Sequence, residues 1–204
     1  MKKRFLSLLF TLTLLLSALP AAAALEGEAG QAARTLTALH LLDSVPSAEA
    51  LKTPVTRVRS TELLVRLYGV TPATRDVSSQ EYAISKGWVT VTTGQQEPVP
   101  TGEFCASLLR QLGYEGFDDS SAALFARRAG LTTRDYEETL TLGDLCELVR
   151  DALPFPNAEG VPLAQQLVEK GLCTQADIQG FFPAELTARQ VADRHMAAVF
   201  RLDT

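Results

Sequence analysis

Thr-Arg-Val-Arg-Ser-Thr-Glu-Leu-Leu-Val-Arg-Leu-Tyr-Gly, residues 56–69, opens on a capping residue, carries Leu and Val three and four residues apart, and closes on glycine. Apolar side chains at that spacing share one stripe of a helix, and Gly stops it. Blurred copies follow at intervals of roughly 40 to 46 residues, and a regular period is a statement about fold. The second is Pro-Thr-Gly-Glu-Phe-Cys-Ala-Ser-Leu-Leu-Arg-Gln-Leu-Gly at 100–113, and the third is Thr-Leu-Gly-Asp-Leu-Cys-Glu-Leu-Val-Arg-Asp-Ala-Leu at 141–153. A weaker fourth copy begins at Thr187, and Arg66, Arg110 and Arg150 recur near the ends of the first three.

A shorter apolar element precedes each copy, at 33–45, 81–89, 122–131 and 163–173. Aligned on Asp43, Gly87, Gly130 and Gly171, these elements keep the spacing of the long helices. The unit is therefore helix, Gly stop, variable loop, capped helix. One such pair cannot bury its own apolar stripe, so neighbouring units must pack together. The expected class is all-α, with units at 32–76, 77–115 and 116–156 and a diverged fourth at 157–204. Arg194 and His195 stand in that last unit where other copies carry aliphatic residues, which suits the polar cap of an array.

These pieces together resemble the S-layer homology (SLH) repeats of bacterial surface proteins. The matching residues are Gly116-Phe117-Asp118-Asp119 ahead of 122–131, Thr56-Arg57, Glu103-Phe104, Leu112-Gly113, and Phe182-Pro183 before Thr187. The resemblance implies three repeats packed as a pseudo-threefold helical bundle. It further implies grooves between units that bind an anionic, often pyruvylated, secondary cell-wall polysaccharide. Arg57 is the position that matches the family's binding Arg, and Thr56 opens its helix. A forked guanidinium at a helix N-terminus suits a carboxylate ligand, because the dipole there also favours negative charge. The chain departs from the pattern at Arg59, where the capping acid is missing. The second copy keeps that acid as Glu103 and lacks the Arg.

Residues 1–24 carry Lys2, Lys3 and Arg4, an apolar run from Phe5 to Leu19, Pro20, and a small-residue cleavage site. This reads as a secretory signal peptide, since the run is shorter than the roughly 20 residues needed to span a bilayer. Residues 25–31 read as a flexible lead. Removing the leader takes the net charge from −5 to −8. Such an acidic exported chain is a poor nucleic-acid binder, and no membrane association is expected after cleavage. The remaining chain, about 180 residues long, can bury one good core.

No nucleophile is paired with a base, no carboxylates are placed for acid–base work, and no phosphate loop occurs, so no enzymatic activity is expected. His40 and His195 lie in different units, and neither a metal nor a cofactor is expected. Cys105, Cys146 and Cys173 form no Cys-x-x-Cys pair and read as small buried hydrophobes; with an odd number, at least one thiol stays free unless it pairs between chains. Asp118 and Asp119 lack the spacing of a calcium loop, and Asp119 or Ser120 reads as a helix cap. Trp88 is either a core plug or a sugar-stacking platform, and residues 89–93 alternate with period two like a short strand. Arg127, Arg128 and Arg134 read as a solvated face or an anion-binding rim. The candidate ligand-binding residues are thus Arg57, Thr56, Lys86, Trp88 and Glu103. The expected function is a non-catalytic module that holds an exported protein at the bacterial surface. The alternative is a scaffold that contacts another exported protein.

Overall fold

The structure is a computed structural model that describes residues 27–71 and 76–179. It is all-α: the described residues hold eight α-helices, one 3-10 turn and no strand. In chain order these are α1 (Glu28–Ala38), the 3-10 turn Ala50–Lys52, α2 (Arg57–Leu67), α3 (Ser79–Ser85), α4 (Thr101–Gln111), α5 (Ala122–Ala129), α6 (Leu142–Ala152), α7 (Leu163–Glu169) and α8 (Gln175–Gln179). The predicted signal peptide and the last predicted helix, 187–202, lie outside the described residues.

The three long helices α2, α4 and α6 are tied together by the extended residues just before them. Val55 N–H donates to Leu140 O at 2.9 Å, Leu140 N–H to Val99 O at 3.2 Å, and Val99 N–H to Val55 O at 2.9 Å. Each segment donates to one neighbour and accepts from the other, so three bonds close a ring. A second ring surrounds it: Arg57 N–H to Glu97 O at 3.1 Å, Thr101 N–H to Glu138 O at 2.9 Å, and Leu142 N–H to Thr53 O at 2.9 Å. These six bonds satisfy backbone groups that would otherwise be orphaned at buried helix starts. They also fix equivalences: Val55 answers to Val99 and Leu140, and Arg57 to Thr101 and Leu142.

Each long helix then receives one partner helix. α3 packs on α2, α5 on α4, and α1, from the head of the chain, packs on α6. Leu36, Leu64, Phe104, Leu108 and Leu145 are among the side chains fully buried between them. Each contributes about 1.5–3 kcal/mol relative to an exposed position. Close approach is helped by Gly102, where an added Cβ would lie 2.0 Å from the Asp119 carbonyl oxygen. The segment around α7 covers the opposite ends of the long helices. Ala158 N–H donates to Leu112 O at 2.8 Å, Ala164 N–H donates to Leu153 O at 2.8 Å, and the Lys170 ammonium lies 3.4 Å from the Tyr68 ring centroid.

Four sequence expectations are corrected here. Residues 28–31, read as a flexible lead, already belong to α1. The stop of α1 is not at Asp43: His40 takes the left-handed conformation (φ 59°) that Gly87, Gly130 and Gly171 take in α3, α5 and α7. In all four, the N–H of the residue after the left-handed one reaches back to close the same C-terminal turn, as in Leu41 N–H to Leu36 O and Trp88 N–H to Ala83 O. Residues 89–93 form no strand; the Val91 carbonyl accepts from the Gln80 and Gln95 side chains instead. The turn before α5 is held by Asp118 rather than Asp119 or Ser120, with its carboxylate accepting from Ser121 N–H at 2.8 Å.

The capping pattern explains the differing helix starts. Thr141 and Asp144 make the reciprocal box expected of them, whereas at Thr56, where Arg59 stands in place of the acid, there is no box and no side-chain cap. A second box, Ser78 with Glu81, starts α3. Its Ser-x-x-Glu signal stands in the sequence at 78–81.

Candidate functional site

Arg57 is the first residue of α2, and the ring places it against the first turn of α4. Its Nε donates to both carboxylate oxygens of Glu103 at 2.9 Å. Its Nη1 donates to Glu97 Oε2 at 2.9 Å and to the Gly94 carbonyl at 3.1 Å. The side chains of Arg57 and Glu103 are 15% and 12% exposed, while Glu97 is 71% exposed. Hydrogen bonding to Glu103 raises the guanidinium's already high pKa. Arg57 of α2 and Glu103 of α4 therefore meet across one interface. The equivalent positions at the other two interfaces pair Thr101 with Asp144 and Leu142 with Arg59, and neither can form this ion pair.

Lys86 and Trp88 lie elsewhere, in the wall of a cavity of about 320 Å³ at the C-terminal end of α4, together with Arg110, Tyr114, Glu115 and Phe117. Arg110 lies two turns beyond Glu103, about 10 Å further along the helix axis. Its Nη2 pairs with Asp119 at 2.8 Å, its Nη1 donates to the Trp88 carbonyl at 3.4 Å, and its guanidinium carbon lies 5.8 Å from the Phe117 ring centroid. The Tyr114 hydroxyl donates to the Pro156 carbonyl at 3.0 Å, which fixes its ring, and burial pushes its pKa up to about 12. The Lys86 ammonium stands 5.6 Å from the Tyr82 ring centroid. Trp88 is 6% exposed, with its ring edge-on to Tyr68 at 4.6 Å and Tyr82 at 5.8 Å.

The five predicted residues thus divide. Thr56, Arg57 and Glu103 come together at the start of α2, where the guanidinium has given three of its five N–H donors to the protein itself. Lys86 and Trp88 join a separate cavity, and the Trp88 ring serves as a core plug rather than an open stacking platform. Arg110, Tyr114, Glu115 and Phe117 were not singled out as ligand-binding residues; Arg110 registered only as a recurring Arg near a helix end. Arg134, read within a basic cluster, instead bridges Glu28 of α1 with Glu147 (2.9 Å) and Asp151 (3.4 Å) of α6, and so ties α1 to α6. No family profile, characterised protein or solved structure matches the chain. The site has to be read from its own chemistry.

Among the described residues no group of three or more His, Cys, Asp and Glu is placed to hold a metal ion, and no helix is long and apolar enough to cross a membrane. Cys105, Cys146 and Cys173 are buried and free, and burial pushes the Cys105 and Cys146 thiols up to about 12, far from the thiolate form a nucleophile needs. The cavity, by contrast, combines cations, a carboxylate and aromatic rings on a rigid frame, which is how small polar ligands are oriented.

Proposed function

We propose that this chain is an exported, non-catalytic module that holds a protein at the bacterial cell surface by binding an acidic cell-wall polysaccharide. The observation that carries the reading is the cavity lined by Lys86, Arg110, Tyr114 and Phe117. Sugars are recognised by aromatic rings beside charged and hydrogen-bonding groups, and a cavity of this size lies at the lower end of the range for small-ligand sites. The resemblance to SLH repeats and the ring of three long helices supply the context. The binding role moves from Arg57 to Lys86, because Arg57 is engaged by Glu103 and Glu97 while Lys86 is exposed.

The test is co-sedimentation of the chain from residue 25 to 204 with Gram-positive sacculi, before and after the secondary polymer is stripped off. Pelleting that disappears on stripping supports the reading. Equal pelleting, or none, with both preparations overturns it; in the second case the scaffold's partner is to be sought among exported proteins.

A further inference from the structure

The cavity's charges do not suit a simple polyanion. Of its two cations, Arg110 is already neutralised by Asp119 at 2.8 Å, and Lys86 faces a shared space that also contains Glu115. Gly113, just past the C-terminal end of α4, lines the same space beside Glu115. Around the site the whole chain is acidic, at −5 before and −8 after loss of the predicted leader. A ligand bearing only negative charge would find one uncommitted cation and otherwise repulsion. A ligand bearing an acid and an amine would find Lys86 for the first and Glu115 for the second. The Tyr114 ring in the same wall would further favour the ammonium group.

We infer that the cavity binds a zwitterionic saccharide unit, one with a free amine as well as an acidic group, and so selects wall polymers whose amino sugars are not fully N-acylated. This rests on the glycan reading above but narrows it to a chemistry that reading does not require.

Three monosaccharides separate the contributions in a calorimetric or ligand-observed NMR titration: muramic acid with amine and carboxylate, N-acetylmuramic acid with the carboxylate alone, and glucosamine with the amine alone. Muramic acid is expected to bind at least about tenfold more tightly than either of the others. Glu115→Gln should reduce it to the level of N-acetylmuramic acid, and Lys86→Met to that of glucosamine; both positions are exposed, so the fold is retained. Equal binding of muramic and N-acetylmuramic acid, or no binding of any of the three, overturns the inference. If the wild-type chain still pellets with sacculi in those cases, the wall-binding reading survives and only the zwitterion is lost. If muramic acid binds with the expected preference but sacculi are ignored, the reverse holds.

Discussion

Replacing Arg57 by methionine removes the cation from a Glu103 carboxylate whose side chain is only 12% exposed. Removing one partner of a fully buried pair costs about 3–5 kcal/mol, because the remaining charge is left without compensation. Exposed pairs contribute about 0–1 kcal/mol. With Arg57 at 15% and Glu103 at 12% exposure, the inner half of the cluster lies near the buried limit. Glu97, at 71%, lies at the exposed limit. Arg57→Met should therefore destabilise the fold by about 2–3 kcal/mol, between those limits, and Glu97→Gln by less than about 0.5 kcal/mol. Adding Glu103→Leu to Arg57→Met should restore much of the loss, since an apolar pair of similar size replaces a buried ion pair at little cost. Urea titrations of the four chains, followed by Trp88 fluorescence, measure these differences. If Arg57→Met leaves the urea midpoint unchanged yet abolishes sedimentation with sacculi, the guanidinium serves a ligand rather than the interface, and the assignment of Arg57 to the scaffold is refuted.

Three further outcomes are expected. His40 holds a left-handed conformation that an L-side chain adopts at a cost of about 1–2 kcal/mol, so His40→Gly should raise the melting temperature by about 2–4 °C per kcal/mol gained; an unchanged or lower value would contradict the strain. Hydrogen bonds from Ser121 and Ser120 hold the Asp118 carboxyl down at about 2, below its ordinary 3.8, so its stabilisation is in place above the ordinary value and is lost as pH falls through the folded value. The stability gap between wild type and Asp118→Asn should accordingly narrow between about pH 5 and pH 2, as read from urea midpoints. Cys105 and Cys146, buried and raised to about 12, should react with an aromatic disulfide at pH 8 only after denaturation; prompt labelling of either in the native chain would show that the core opens there.

The long helices were legible because their apolar spacing and Gly stops are local signals, and α2, α4 and α6 begin within a residue of where those signals put them. The stop of α1 was misread because His40 does in a histidine what glycine does elsewhere, and nothing in the side chain announces it. The split between Arg57 and Glu103 was visible as two incomplete motifs. That the halves touch could be known only from the ring, which brings together residues 46 apart in sequence. Arg110 and Phe117 were hidden for the same reason: the cavity forms where the end of α4, the loop after it and the end of α3 converge, and no spacing encodes that convergence.

The most direct test compares Lys86→Ala with Arg57→Ala for binding to intact sacculi, each chain's folded fraction measured under the same conditions. Lys86→Ala should fold like wild type and bind at least about tenfold more weakly, while Arg57→Ala should lose stability and bind normally per folded molecule. Wild-type binding by Lys86→Ala, with binding lost in folded Arg57→Ala, would contradict the placement of the ligand in the cavity.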